Sequence, residues 1–227
     1  MRRLSIIIPA LNEAAGIGTT LAALAQMRER GAEVIVVDGG SSDDTIARAQ
    51  PLADRVLAAP RGRAAQMNAG AAAATGDVLL FLHADSRLPA DADRLILASV
   101  GAAAEAWGRF DVAIEGRHPL LPVIACFMNR RSRLTGIATG DQGLFVTRAL
   151  FAAAGGYPPI ALMEDVALSQ ALRARGAPRC LRERIVTSGR RWERHGVWRT
   201  MALMWRLRWA YWRGADPALL ARRYERG

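Results

Sequence analysis

Short β-branched runs alternate with helical patterns along the first half of the chain. Ser5–Ile8 and Glu33–Val37 are apolar at nearly every position, the pattern of parallel strands buried on both faces. Between them, apolar positions from about Glu13 to Arg30 recur with helical spacing and predict an amphipathic helix. Ser41 and Ser42 suit the N-cap of a second helix, and Ser41-x-x-Asp44 resembles a capping box. Arg55–Leu57 reads as a short third strand, Arg63–Ala74 as an alanine-rich helix stopped by Gly76, and Asp77–Leu82 as a fourth strand. This β-α-β-α-β-α-β rhythm predicts an α/β fold: a mostly parallel, Rossmann-like sheet with helices on both faces. Such sheets take their ligands beyond the carboxyl ends of their strands.

The second half is less regular. Phe110–Glu115 and Gly143–Thr147 read as strands, joined by a helical stretch from Pro119 to Leu134. A helix from Glu164 to Arg175, an extended segment from Arg179 to Thr187, and helices from Arg194 to Arg213 and Pro217 to Tyr224 follow. No repeat or linker separates the halves, so residues 1–190 read as one domain. Residues 191–227 read as a helical extension packed on that domain or on a membrane surface.

Composition narrows the class. With 51% apolar and 23% charged residues, the 227-residue chain is an ordinary packed protein that needs no disulfide or metal staple. Cys126 and Cys180 form no framework and fit a reduced, cytoplasmic setting. Met1–Leu4 has the charge of a signal-peptide start, but the apolar run ends at Pro9. The longest apolar stretch elsewhere, Pro119–Met128, is half of a membrane span, so an integral membrane protein is not expected. The formal charge is +10, and every basic residue is arginine. Fifteen arginines and four acids lie between Arg173 and Gly227, while residues 1–172 are nearly balanced. A basic tail on a neutral body points to a polyanionic partner: a membrane surface, a nucleic acid or a phosphorylated ligand.

Acidic and polar residues cluster where the strands end. The first strand runs into Pro9-Ala10-Leu11-Asn12-Glu13, the second into Asp38-Gly39-Gly40-Ser41-Ser42-Asp43-Asp44-Thr45, the fourth into His83-Ala84-Asp85-Ser86. Any one of these is as readily a turn or a helix cap. Three on one rim make a crevice suited to a cation and the phosphates it binds.

These segments resemble the family 2 glycosyltransferases, enzymes of the GT-A fold that use nucleotide-diphosphate sugars. Ser5–Glu13 is similar to the family's opening strand and Asn-Glu turn, and Val36–Thr45 to its nucleotide-binding loop, with Gly39 where a second aspartate is common. Gly62-Arg63 through Asn68-Ala69-Gly70 and on to Asp85 is similar to the stretch leading to the metal motif. Met163-Glu164-Asp165 with Leu168 and Leu172 is similar to the acid pair carrying the catalytic base. The resemblance covers about residues 4–175 and is nearest a compact bacterial subgroup linked with arsenosugar biosynthesis.

The resemblance implies roles. Pro9, Ala10, Asn12, Glu13, Asp38, Gly39, Arg63 and Asn68 would hold the nucleotide, UDP being favoured because the Asp38 carboxylate can accept from a uracil N–H. Asp85 would bind Mg²⁺ or Mn²⁺; the usual Asp-x-Asp is here His83-x-Asp85, and the imidazole suits Mn²⁺ better, if it ligates at all. Asp165 would take the proton of an acceptor hydroxyl and Glu164 would shape the acceptor side, in one direct displacement that inverts the anomeric centre. Both acids are also what a helix N-terminus favours. Asp141 and Gln142 would lie near the acceptor, where an ordinary turn fits nearly as well. Ser188-Gly189-Arg190-Arg191-Trp192 is similar to the Gln-x-x-Arg-Trp segment of processive members with serine for glutamine; Arg191 would grip the diphosphate and Trp192 stack on an acceptor.

Arg199, Arg206 and Arg213 recur seven apart, with Met201, Met204, Trp205, Trp209 and Trp212 on the opposite arc. That pattern fits a helix lying on the inner face of a membrane, with a lipid-linked acceptor, as well as one packed on the domain. Arg208 inside the apolar arc opposes clean insertion. A Rossmann dehydrogenase would need a third glycine after Gly16-Ile17-Gly18, and without lysine there is no P-loop. The rivals are a nucleotidyltransferase, which would carry a Gly- and Arg-rich first loop, and a non-enzymatic RNA- or membrane-binding protein using the Arg/Trp tail. Nucleic acid is the less expected partner, because an acidic rim repels a polyanion.

Overall fold

A computed structural model describes residues 2–226 of the chain. Strands β1 (Leu4–Ala10), β2 (Glu33–Asp38), β3 (Arg55–Ala58) and β4 (Val78–Phe81) pair in parallel. The second half adds β5 (Ser86–Arg87), β6 (Trp107–Glu115), β7 (Leu144–Thr147) and β8 (Arg179–Ser188). All eight form one sheet in the order β3-β2-β1-β4-β7-β6-β8-β5. β7 runs antiparallel to both β4 and β6 and β5 antiparallel to β8, while β6 and β8 pair in parallel, so the sheet is mostly parallel with β7 and β5 reversed.

The unbroken apolar runs follow from burial on both sides. Ile6, Ile8, Val34, Val36 and Leu80 face one core with α1 (Ile17–Ala22), α2 (Ala25–Glu29) and α5 (Ala92–Val100). Ile7, Ile35, Val37, Leu79 and Phe81 face the other with α4 (Arg63–Ala73), α7 (Arg148–Ala153) and α8 (Glu164–Arg173). Each fully buried aliphatic side chain contributes roughly 1.5–3 kcal/mol. The buried Glu33 carboxylate is satisfied in this interior: it accepts from Ser5 Oγ at 2.6 Å and from the Thr75 N–H at 2.7 Å.

Several expectations are corrected. The single helix from Glu13 to Arg30 is two short ones, because the chain tightens at Leu24, whose N–H reaches the Leu21 carbonyl. Ser41 and Ser42 cap nothing: α3 is only Thr45–Ala49, and its N-cap Asp44 makes no side-chain cap bond. Ser41 Oγ is instead held by the Asp38 carboxylate. Helices α5 and α7 and the two-residue β5 lie in stretches to which the sequence pattern assigns no element. α6 (Leu121–Thr135) ends on Gly136 in the left-handed region at φ 67°. The last long helix is broken by Gly196 (φ 81°) into α9 (Arg190–His195) and α10 (Val197–Trp212), before α11 (Pro217–Arg226). Leu207 of α10 and Leu220 of α11 meet Met163 in a small apolar cluster. Among the described residues no helix is long and apolar enough to cross a membrane.

Candidate active site

The loops after β1 and β2 interlock through their polar side chains. The Asn12 N–H donates to Ser41 Oγ at 2.9 Å, and Asn12 Oδ1 accepts from the Ser42 N–H at 2.9 Å. The Glu13 N–H donates to Thr45 Oγ1 at 2.8 Å. Gln66, on α4, reaches up to the same level and donates to both the Ala10 and Val37 carbonyls at 2.8 Å. Short polar residues at these positions thus supply hydrogen bonds that the two strand ends no longer obtain from the sheet.

The locked rim bounds a cleft of about 1080 Å³. One wall is Pro9–Glu13 with Arg61, Gly62, Arg63 and Gln66; the floor is His83, Ala84 and Asp85. Asp141, from the short 3-10 turn Gly140–Gln142, and Glu164, at the start of α8, stand beside the floor. The far wall is Ser188 and Arg190 through His195, with Thr200 and Met204 of α10 and Ala221 and Tyr224 of α11. Five acids (Glu13, Asp85, Asp141, Glu164 and Glu193) and five arginines (Arg61, Arg63, Arg190, Arg191 and Arg194) from separated parts of the chain therefore share one hollow at the carboxyl ends of the parallel strands.

Their electrostatics are coupled. Arg190 Nη2 lies 3.5 Å from Glu13 Oε2 and 3.6 Å from Asp85 Oδ2, a guanidinium spanning the two carboxylates. Burial raises the Glu13 carboxyl, Arg190 opposes the rise, and Asp85 adds to it. Burial raises Glu164 above the ordinary range, the adjacent Asp165 charge raises it further, and Arg63 pulls against both. Burial works against the Arg63 charge, but Tyr224, Glu164, Asp141 and Asp165 outweigh it and raise the guanidinium further. Among the described residues, only Asn12 (φ 54°) and Met163 (φ 69°) hold positive φ without being glycine, and both flank this cleft. A left-handed methionine before the acid pair is backbone strain of the kind that gathers at functional sites.

Not every residue singled out in the sequence reaches the hollow. The Asp38 carboxylate, 3% exposed, accepts from the Gly40 and Ser41 N–H groups and from Ser41 Oγ, and does not line the cleft. Gly39 presses on the Gln66 side chain, where an added Cβ would come within 3.0 Å. Asn68 spends both ends of its amide on the Tyr157 backbone, at 2.8 and 2.9 Å. Gln142 is fully buried and caps its own turn at the Thr139 N–H. Asp165 Oδ2 accepts from the Gly140 N–H at 2.8 Å and Oδ1 from the Val166 N–H at 2.7 Å, so Asp165 sits behind Glu164 and braces the turn that carries Asp141. Arg191 does line the cleft; its Nη2 donates to the Tyr224 carbonyl at 2.7 Å and its guanidinium lies 3.6 Å over the Tyr224 ring. Trp192 stands beside it. Arg61, Arg190 and Tyr224 joined the site without having been given roles; Arg190 had a signal in the Ser188–Trp192 segment, Tyr224 none.

Comparison with known proteins follows the same outline. A family model described as glycosyl transferase family 2 matches residues 5–149. A PGL/p-HBAD biosynthesis glycosyltransferase of Mycobacterium tuberculosis is 40% identical over 91 residues, 37% of this chain and 36% of the relative. The chain thus spans little more than a third of that relative's length in the matched region. Among solved structures, residues 1–349 of S. aureus TarS in complex with UDP-GlcNAc superpose with a TM-score of 0.65 at 16% identity, over 83% of this chain and 58% of that one. The mannosyltransferase PcManGT from Pyrobaculum calidifontis, in complex with GDP-Man and Mn²⁺, gives 0.61 at 20% identity, over 82% and 56%. Glucosyl-3-phosphoglycerate synthase from M. tuberculosis, with Mg²⁺ and UDP, gives 0.59 at 20%, over 82% and 70%. At such identities the likeness is one of fold, and the fold is GT-A.

Proposed function

The chain belongs to glycosyltransferase family 2, and from that premise we propose that it transfers a sugar from a nucleotide-diphosphate sugar, a UDP-sugar in the first place, to an acceptor hydroxyl with inversion at the anomeric carbon. The observation that carries this reading is the single cleft in which Glu13, Asp85, Asp141 and Glu164 face Arg63, Arg190 and Arg191. Solved relatives in fold hold UDP-GlcNAc or GDP-Man, which supports the donor class.

In this reading Pro9–Glu13, Arg63 and Gln66 form the nucleoside end of the cleft, and Arg190 and Arg191 answer the diphosphate charge. Asp38 shapes that end from behind, through the loop it holds together. The acceptor oxygen bonds to the anomeric carbon as the sugar–phosphate bond breaks; the nucleoside diphosphate leaves, and the acceptor proton goes to the Glu164–Asp165 pair. Glu164 presents the pair to the cleft, and its raised carboxyl is the better proton acceptor near neutrality. The acceptor enters between α9, α10 and α11, and an amphiphilic or lipid-linked hydroxyl fits that helical wall as well as a small metabolite does.

GT-A relatives hold Mn²⁺ or Mg²⁺, and the donor chemistry here fits such an ion. Among the described residues no three acids, histidines or cysteines stand close enough together to hold a metal ion by themselves. A divalent ion bound mainly through substrate phosphates needs only one or two protein ligands, however, and Asp85 with His83 supplies a carboxylate and an imidazole on the cleft floor. When bound, the ion would neutralise the diphosphate leaving group. The test is thermal stabilisation by UDP-, GDP- and dTDP-sugars with Mn²⁺, followed by release of the nucleoside diphosphate on adding a hydroxyl acceptor. Stabilisation by a UDP-sugar is expected. Failure of every nucleotide sugar, or consumption of a nucleoside triphosphate with pyrophosphate release, overturns the reading.

A further inference from the structure

Helix α10 carries two apolar faces, and the domain covers only one. Leu207 and Val197 are buried, and Thr200 and Met204 face the cleft. On the opposite side Trp198, Trp205, Trp209 and Trp212 are 68%, 74%, 62% and 77% exposed. At 100° per residue these four indoles fall within an arc of about 60° and span about 21 Å along the axis. The sequence pattern had set Met204 and the tryptophans on one arc; packing separates them, Met204 inward and the indoles outward. Four large indoles left in water along one line are not a folding requirement of this chain, and contiguous exposed apolar surface marks an interaction site.

The surrounding charge selects the partner. From Arg194 to Ala215 there are five arginines and no acid. Arg199, Arg206 and Arg213 flank the indole row on one side and Arg208 on the other, and the Arg213 guanidinium lies 5.2 Å from the Trp209 ring. A second copy of the same face would set like charge against like charge with no carboxylate to answer it. A nucleic acid would be gripped better by a groove than by a straight convex row. Indoles seated at headgroup level with guanidiniums beside them suit an anionic bilayer.

We infer that the outward face of α10 is a docking surface for an anionic lipid bilayer, with Trp198, Trp205, Trp209 and Trp212 in the interface and Arg199, Arg206, Arg208 and Arg213 on the headgroups. Because Thr200 and Met204 on the other face line the cleft, docking holds the cleft about one helix diameter, roughly 10 Å, from the membrane surface, within reach of an acceptor with a lipid tail. That consequence rests on the proposed transfer reaction; the docking itself does not.

Sedimentation of the full chain with vesicles of phosphatidylcholine and phosphatidylglycerol tests it, with thermal midpoint and circular dichroism as controls of folding. The wild type is expected to sediment with the mixed vesicles, to release as salt is raised, and to bind pure phosphatidylcholine far less. Trp205→Ser with Trp209→Ser should lower partitioning at least about tenfold with an unchanged melting midpoint. Arg206→Gln with Arg213→Gln should lower it on the mixed vesicles alone. Absence of wild-type binding, or equal partitioning of the tryptophan variant, overturns the inference. So does a wild-type dimer that this variant dissolves, or binding to a single-stranded oligonucleotide that vesicles do not displace. Vesicle binding without donor binding would uphold the docking and defeat the transfer reading.

Discussion

His83 Nδ1 lies 3.3 Å from Asp141 Oδ1, so the histidine standing where an acid is usual is already matched to an acid from a distant turn. The fit is close on both sides, since a Cβ on Gly140 would fall 2.3 Å from His83 Nε2. Burial would raise the Asp141 carboxyl, but the hydrogen bond and charge of His83, with Arg63 and Arg131, bring it below the ordinary range. A depressed carboxylate stabilises the fold above its unfolded pKa, and that contribution is lost as pH falls through the folded value. Wild type should therefore lose more thermal stability than Asp141→Asn between about pH 5 and pH 3. Parallel melting curves for the two would remove the pairing from the account.

Glu164 carries the opposite sign. Its carboxyl is raised by burial and by Asp165, so the folded state favours the protonated form, and the stability this brings is lost as pH rises through the folded pKa. At neutral pH the charged group is a burden on the fold. Glu164→Gln is expected to raise the melting temperature slightly while lowering turnover by about 10²–10⁴-fold, with donor binding retained. Asp165→Asn is expected to lower turnover by a similar factor, but with a loss of stability, because Asp165 braces the Gly140 N–H. Turnover within a few-fold of wild type in both variants would sink the assignment of the proton to this pair.

Gly70 sits mid-helix in α4, where alanine would ordinarily favour the helix by roughly 0.5–1 kcal/mol. Here the added Cβ would meet Ile7 Cγ2 at 2.4 Å and Val37 Cγ2 at 3.0 Å. Both neighbours are fully buried in the sheet and have no room to move. Overpacking of about 1–3 kcal/mol should outweigh the propensity gain, so Gly70→Ala lowers stability in denaturant titration. A more stable variant would mean that α4 rides further from β1 than these contacts imply.

What the sequence disclosed depended on how far each signal was local. β1, β2 and β4 are buried on both faces, so their apolar runs stand out, and the rim loops follow from where those runs stop. The antiparallel entry of β7 and the short helices α5 and α7 depend on packing across the chain and leave no comparable trace. The same holds within the site. Glu13, Arg63, His83, Asp85, Asp141, Glu164, Arg191 and Trp192 meet in one hollow as their positions at strand and helix ends imply. Whether a carboxylate faces that hollow is decided by backbone N–H groups: Gly40 and Ser41 turn Asp38 away, and Gly140 and Val166 hold Asp165 back. Asn68 and Gln142 likewise serve the backbone, at Tyr157 and Thr139.

Arg190 separates a role in binding from a role in stability. Its contacts to Glu13 and Asp85 are 3.5 and 3.6 Å long, and its side chain is 60% exposed. Ion pairs of this kind contribute about 0–1 kcal/mol, so Arg190→Gln should leave the melting temperature nearly unchanged. The same residue lies against both Glu13 and Asp85, where the proposed reaction puts the donor diphosphate. Its removal should weaken nucleotide-sugar binding by about tenfold or more, in line with about 1.5–3 kcal/mol for a hydrogen bond to a charged group. Asp85→Ala should weaken binding only when Mn²⁺ is present, because the carboxylate otherwise faces the donor phosphates as a like charge. Isothermal titration of both variants, with and without Mn²⁺, resolves the two effects. Donor affinity unchanged in Arg190→Gln, or lost equally with and without metal in Asp85→Ala, would show that the diphosphate lies elsewhere.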